Sequence, residues 1–412
     1  MTQIILQMNR AGFIIAFIAL MPFFTNAQTW NTLASVPATG QDFSSGLAFE
    51  LNGKIYMGGG FYSKKIYQYN IAANIWTAKN DIQAGTYSRS GAISFSINNK
   101  GYILNGFDVN NVTFTSTKLI DFYEYNEGAD SWISKAVPPF IFRSNASVFT
   151  INNKVYIVGG YDSSSTAVNT TWEYDGTAWV QKANLPVPSL FAGSAFVLNG
   201  KGYIACGATK SGANTLYTKT LYEYNPVTDT WTQKADFPGN GRHSAFGFSA
   251  DGKGFCGLGS SVSPSFQYVY YTDFYTYNPA SNTWTLLASP FPSSSRQAAV
   301  AVSYNNKGYI GTGWTFISGV NTYYKDWYSI GAAGPSAVTS FSKEPVSFYP
   351  NPVSEKLFID NAINKNITIY DAAGRVVSNK ILTENFINVN HLPAGTYFLS
   401  LNHSTATTFF KQ

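Results

Sequence analysis

Four arginines, Arg89, Arg143, Arg242 and Arg296, each stand eleven residues ahead of a lysine, at Lys100, Lys154, Lys253 and Lys307. Guanidinium groups recurring at one place in a repeat could ring a common axis and hold a carboxylate or sulfate in bidentate fashion. The competing expectation is that each arginine pairs with a neighbouring loop acid and braces adjacent repeats. Phe43 and Leu190 take the equivalent places ahead of Lys54 and Lys201. A second set lies seven residues after the lysines: Phe61, Phe107, Tyr161 and Trp314, completed by Ala208 and Ser260. Rings there could stack on the apolar faces of sugars, or simply cover strand ends. Asp108 and Asp162 follow two of these rings. Paired carboxylates can divide acid and base roles, although an Asp at such a place also caps its loop. His243 joins the ligand-binding candidates, being the one histidine outside the C-terminal segment that holds His391 and His403. No zinc motif, phosphate-binding loop, nucleophile elbow or dinucleotide fingerprint is present, and neither a metal nor a cofactor is expected.

The elements that position these residues follow from composition and period. Of 412 residues only 12% are charged, against 17% aromatic, with 35 Gly and 17 Pro. Aromatics suit pleated surfaces and Gly and Pro mark turns, so an all-β chain is expected, and a disordered or coiled-coil one is excluded. The net charge is +5, but no basic block exists that would release counterions from a phosphate backbone, so nucleic acid is not expected as a partner. A unit recurs at Lys54, Lys100, Lys154, Lys201, Lys253 and Lys307: a β-rich run, a two-residue turn, the lysine, a strand ending in Gly, a variable loop, an aromatic-x-Tyr strand and a closing Trp. The closing residues are Trp76, Trp132, Trp179, Trp231 and Trp284, and the sixth repeat runs out at Ile330 without one. Trp30, at the other end of the segment, is predicted to supply the missing strand and close a ring, so that no sheet edge stays open. Before each lysine stand Asn52-Gly53, Asn98-Asn99, Asn152-Asn153, Asn199-Gly200, Asp251-Gly252 and Asn305-Asn306, residue types that accept the positive φ of a type I′ hairpin. These turns and the short turns before each Trp must share one face. The long connections share the other, where ligand-binding residues are expected.

In the glycine pairs Gly58-Gly59 and Gly159-Gly160, the spaced Tyr67-x-Tyr69, Tyr123-x-Tyr125, Tyr222-x-Tyr224 and Tyr275-x-Tyr277, and the closing Trp, the chain resembles the kelch family of β-propellers. Other blades depart from the Gly pair, with Asn105-Gly106, Cys206-Gly207, Leu258-Gly259 and Thr312-Gly313. The resemblance implies six blades over 28–334. A copper oxidase of the galactose oxidase type, which this class includes, needs several converging imidazoles, and this propeller has one. The class also includes epimerases acting on sialic acid. Cys206 and Cys256 fall five and three residues after their lysines. On period-two strands that parity turns both side chains the same way around the ring, so two buried free thiols are expected.

Residues 1–27 read as an export leader, with Arg10 as the sole charge, an apolar run from Ala11 to Phe24 that is too short to span a bilayer, and a small residue at Ala27. No transmembrane segment is expected in the mature chain. After a linker at 335–344 the period stops, and 345–412 reads as a small immunoglobulin-like β-sandwich. Tyr349-Pro350-Asn351-Pro352, Gly374, and Leu392-Pro393 with Gly395 and Tyr397 make this segment resemble the type A sorting domain of the type IX secretion system. That resemblance implies recognition by the type IX machinery, outer-membrane translocation, and a protein that is secreted or held at the cell surface. The function expected is a binding module for a glycan or a protein. The alternatives are a sugar-modifying enzyme such as a sialic acid epimerase, and a structural surface protein or adhesin.

Overall fold

The computed structural model describes residues 28–37, 44–61, 63–82, 88–110, 112–113, 115–331, 348–360, 362–371, 376–401 and 407–412. The leader, the linker, Phe43 and Gly374 lie outside the described residues. Every turn ahead of a repeat lysine has positive φ at both central residues, from 45° at Asn305 to 76° at Gly53. Those turns build six antiparallel four-stranded sheets. Blade one runs Leu47–Leu51, Lys54–Gly58, Ile66–Asn70 and Ile75–Lys79. In blade six, Val300–Tyr304, Lys307–Gly311 and Trp327–Ile330 are completed by Asn31–Leu33, which pairs Asn31 with Ser329 and Leu33 with Trp327. The N-terminal strand therefore closes the ring. The first strands of neighbouring blades pack side by side around the axis, with that of blade six against that of blade one.

The recurrence of lysine, tyrosine and glutamate along the repeats has a local cause. In blades two, three and four the lysine, a tyrosine two residues on and the glutamate inside the aromatic-x-Tyr strand form one polar cluster. Lys154 Nζ reaches Glu173 at 2.6 Å and the Tyr156 hydroxyl donates to the same carboxylate at 2.6 Å. Lys201, Tyr203 and Glu223 repeat it at 2.7 and 2.5 Å. Burial opposes ionisation of these glutamates, but the lysine and tyrosine donors outweigh it and hold Glu173 and Glu223 below the usual carboxylate range. The second tyrosine of the strand fixes the next turn. Tyr125 donates to Asp130, Tyr224 to Asp229 and Tyr277 to Asn282, each acceptor a residue with positive φ. The same acceptors take an amide of the preceding blade, at Asn80, Ala183 and Ala235, while the closing Trp donates its indole N–H back to the carbonyl of that residue. A two-way clasp thus joins consecutive blades. Trp76 makes it to Ala34, the residue after the N-terminal strand, and Trp30 donates to Ser289 of blade five at 3.2 Å. Glycine follows the lysine in four blades because the neighbouring blade occupies the space. A Cβ on Gly101, Gly202, Gly254 or Gly308 would sit 2.0–2.2 Å from a phenylalanine ring of the preceding first strand.

Both cysteines are free and buried, as expected, but the expectation that parity keeps them from facing each other is corrected. Their strands end or continue differently: Lys201–Ala205 stops one residue short of Cys206, whose φ of 61° takes it out of the strand alternation, while Cys256 stays within Lys253–Gly257. The two thiols meet across the interface of blades four and five and hydrogen-bond to each other. Burial pushes the Cys206 thiol up, so it stays protonated.

The C-terminal segment has its own core of Val353, Leu357, Ile359, Ile367, Ile369, Ile387, Val389, Leu399 and Phe409. A three-stranded sheet of Phe348–Tyr349, Lys356–Ile359 and Phe386–Asn388 accompanies a four-stranded one of Val376–Ile381, Asn366–Asp371, Gly395–Leu401 and Thr407–Lys411. The ends of the segment meet. Asn351 accepts from the Phe410 amide at 2.8 Å, and both prolines that flank it, Pro350 and Pro352, follow cis peptide bonds. Tyr397 donates to the Pro393 carbonyl at 2.9 Å, which ties the Leu392-to-Tyr397 motif to its strand, whereas Tyr349 is exposed.

Candidate functional site

The arginines do not ring the axis, which corrects the first expectation. Arg89, Arg242 and Arg296 are fully buried inside their blades, each gripping a carboxylate in fork-to-fork fashion: Asp121 at 2.8 and 2.5 Å, Asp273 at 2.6 and 3.0 Å, and Asp326. One N–H of each also satisfies a backbone carbonyl sixteen residues on, at Asn105, Leu258 or Thr312. Rings stack over two of the guanidinium groups at 3.9 Å, Tyr271 on Arg242 and Tyr324 on Arg296. Desolvation disfavours the Asp326 charge, but Arg296, Ser293 and Tyr328 outweigh it and hold its carboxyl below the ordinary value. Every guanidinium nitrogen of Arg242 and Arg296 has a partner, and Arg89 lacks one among the described residues only at its buried Nε, so none of the three offers a ligand an accessible donor.

Arg143 is the exception. It is 3% exposed, and where blades two, five and six carry Asp before the third strand, blade three carries Thr170, which accepts one bond from Arg143 Nη2 at 2.9 Å. Its Nε and Nη1 have no partner among the described residues. Burial lowers its pKa to about 10, offset in part by the charge of Asp162. Supplying the missing acid should stabilise the protein. We expect Thr170→Asp to raise the denaturation midpoint, with a gain of about 1.5–3 kcal/mol typical of a hydrogen bond to a charged group. An unchanged midpoint would show that the guanidinium is already compensated.

The axis is defined two residues after the arginine position. Ser45, Gly91, Asn145, Ala192, Ser244 and Ala298 all have φ between 50° and 60°. Their amides donate around the channel, Ser45 to Ala298, Gly91 to Ser45, Asn145 to Gly91, Ala192 to Asn145 and Ser244 to Ala192, at 2.8–3.1 Å. This backbone collar links every blade except at the step from six to five, for which no bond is described. Below it the channel widens into a cavity of about 320 Å³ walled by small residues such as Gly46, Ala92, Ser147, Gly193 and Ala299.

Above the collar, on the long-connection face, lies a cavity of about 300 Å³. Phe61, Tyr161 and Trp314 line it as expected, together with His243. Phe107 does not, being packed edge-on against Phe142 with ring centroids 5.3 Å apart. The blades whose set lacked a ring, at Ala208 and Ser260, supply one from the opposite strand. Phe191 bridges to Ala208 and His243 to Ser260, just as Ser144 bridges to Tyr161 and Gln297 to Trp314. Each of these blades thus presents one ring per strand pair. The signal was legible at ten residues before the lysine, where Ser44, Ser90, Ser144, Phe191, His243 and Gln297 stand. The sequence reading missed Phe191, Gln297 and four residues on extra hairpins: Thr215 and Tyr217 from Ala208–Ser211 with Asn214–Tyr217, and Val262 and Tyr268 from Ser260–Val262 with Tyr268–Tyr270.

One polar chain crosses the wall. Ser260 donates to Gln297 Oε1 at 2.5 Å and so, with its single proton used, accepts from His243 Nε2 at 3.3 Å. His243 Nδ1 then accepts from the Ser244 hydroxyl at 3.0 Å. The imidazole stacks on Tyr217 with centroids 5.2 Å apart. Burial pushes its pKa down to about 4, so it is neutral at physiological pH. Asp108 and Asp162 lie outside the cavity wall. Asp108 accepts the Ser88 amide at 2.8 Å, and Asp162 the amides of Ser164 and Thr166, both at 2.9 Å.

The Kelch motif matches residues 143–186 and the secretion system C-terminal sorting domain residues 347–412. Kelch repeat and BTB domain-containing protein 1 of cowpox virus (strain GRI-90 / Grishak) is 26% identical over 188 residues, 44% of this chain and 32% of that protein. N-acetylneuraminate epimerase of Pasteurella multocida (strain Pm70) is 27% identical over 159 residues, 39% of this chain and 38% of the epimerase. The chain thus spans about a third of the length of the curated relatives it matches. The solved structure of YjhT superposes with a TM-score of 0.61 at 18% identity, covering 72% of this chain and 96% of its own, a likeness of fold. The sorting domain implies export to the cell surface or secretion and an interaction with the secretion machinery. The chain is a kelch-repeat β-propeller followed by the C-terminal sorting domain of a secretion system.

Proposed function

We propose that the exported propeller is a binding module whose ligand, a glycan in the first instance, sits in the cavity above the collar. The observation that carries this reading is the convergence of Phe61, Tyr161, Phe191, Tyr217, Tyr268 and Trp314 on one cavity of about 300 Å³, with Gln297, Thr215 and His243 among them. Apolar walls with a few placed polar groups are what small-ligand sites present. Binding of the full chain to a glycan array, weakened about tenfold or more by Trp314→Ala, as expected when a central aromatic anchor is truncated, would support it. An array that stays blank, or binding indifferent to Trp314, would refute it. The enzymatic alternative draws on the similarity to N-acetylneuraminate epimerase, but Asp108 and Asp162 face backbone amides rather than the cavity, and NMR of a bound sugar for anomer exchange separates the two.

Because His243 is already neutral at neutral pH, ligand affinity should stay constant between about pH 6 and 8. Its folded pKa is depressed from 6.5 to about 4, so the unfolded chain binds the extra proton first. Stability attributable to this group is complete above the unfolded value and declines as pH falls from there toward 4. Melting curves of the protein and of His243→Gln across that window should diverge at neutral pH and converge in acid. Parallel curves would mean that the imidazole titrates freely.

A further inference from the structure

We infer that the axial cavity selects an uncharged pyranose and rejects acidic sugars, a reading that rests on the glycan-binding function proposed above and names the ligand class. Among the described residues, no lysine, arginine, aspartate or glutamate lines the cavity. The guanidinium groups adjacent in sequence to lining residues, Arg242 and Arg296, spend their charges on Asp273 and Asp326 within the blades. Lys210, at the rim, is exposed and holds its Nζ on the Thr215 hydroxyl at 2.8 Å and over the Phe191 ring at 6.0 Å, outside the wall. A carboxylate moved into such a space gives up its hydration without gaining a counter-charge. The aromatic faces that surround it are the negative side of their quadrupoles and repel an anion further.

The same faces attract cations, so a quaternary ammonium deserves comparison. The polar groups decide against it. Gln297, Thr215, Ser45, Ser244 and the neutral imidazole of His243 share the wall, and the Trp314 indole N–H has no partner among the described residues. A ligand without hydroxyls would dehydrate this polar wall without offering the Gln297 amide or the Thr215 hydroxyl a partner. A neutral pyranose has both parts required, C–H faces for the rings and hydroxyls for the amide and hydroxyl groups. The volume lies at the small end for ligand sites, which suits a single sugar unit at the end of a chain.

The test is calorimetry and saturation-transfer NMR of the full chain at pH 7 with the methyl pyranosides of glucose, galactose, mannose and N-acetylglucosamine, against N-acetylneuraminic acid and choline. At least one neutral pyranoside should bind, N-acetylneuraminic acid and choline at least about tenfold more weakly, a gap of about 1.4 kcal/mol. Tyr161→Ala and Trp314→Ala should each abolish the neutral transfer signal, with Trp314→Phe as the milder variant should the alanine form fail to fold. Tighter binding of N-acetylneuraminic acid that is lost in Lys210→Gln would overturn the neutral selectivity while leaving a glycan-binding propeller. Preference for choline, or no binding of any neutral pyranoside, would overturn it as well. A blank array, or array binding indifferent to Trp314→Ala, would in addition remove the glycan-binding reading itself.

Discussion

A chain lacking residues 28–36 should lose the sharp unfolding transition of the parent and aggregate on concentration. The deleted segment holds both sides of the outer seam. Toward blade six it removes the strand paired with Trp327–Ile330, four residues that are all buried in the closed ring, and leaves them as an open edge. Toward blade five it removes Trp30, packed edge-on against Phe274 and Phe291 at 5.3 and 5.2 Å. Toward blade one it removes Ala34, which both accepts from the Trp76 indole and donates to Asn74, and Val36, buried among Ile55, Met57 and Trp327. Truncating Trp30 alone should cost about 3 kcal/mol, the low end for a tryptophan because its ring is half-buried, a large share of a typical total of 5–15 kcal/mol. What remains is the inner seam, where Ser45 donates to Ala298 and the first strands of blades one and six still pack. Differential scanning calorimetry decides the matter. A deletion variant that melts as a single peak at the parent temperature would mean that the inner seam closes the propeller unaided.

Truncation at Gly334 should have the second large effect, on location and not on folding. The buried residues of the C-terminal segment form one cluster drawn from that segment, and the six clusters of the propeller are drawn from the propeller. Cutting between them therefore exposes neither core. The motif that the sorting reading depends on is a property of the folded segment, since Asn351 near its start is bonded to Phe410 near its end. In a host with the secretion machinery, the full chain should appear outside the cell and the truncated chain should accumulate, folded and soluble, in the periplasm. Fractionation with a melting curve on the retained material measures both halves. Truncated protein at the surface would defeat the sorting role, and truncated protein recovered unfolded would show that the propeller needs its neighbour.

The period, the blade count and the closing strand were determined by sequence because their causes are local. A type I′ turn needs two residues that tolerate positive φ, so Asn-Gly and Asn-Asn before a lysine fix a hairpin wherever they stand. The tyrosine, the Asx acceptor and the closing Trp sit within a few residues of one another, so Trp30 announces its partner strand across the length of the propeller. The sorting motifs are likewise contiguous. The roles of the arginines were decided by tertiary structure, because the acids that neutralise them lie 30–32 residues downstream across loops of variable length, and blade three has Thr170 there instead. The ligand wall needed the register of each hairpin as well. Phe191 and His243 replace the rings missing at Ala208 and Ser260 only because antiparallel pairing sets position minus ten against position plus seven. Cys206 meets Cys256 only because a left-handed residue at a strand end turns its side chain off the alternating pattern. Spacing along the chain carries what bonds of short sequence separation impose, including the minus-ten to plus-seven register about each hairpin turn, whereas which arginine faces an acid and which extra hairpin reaches the cavity depends on contacts across variable loops.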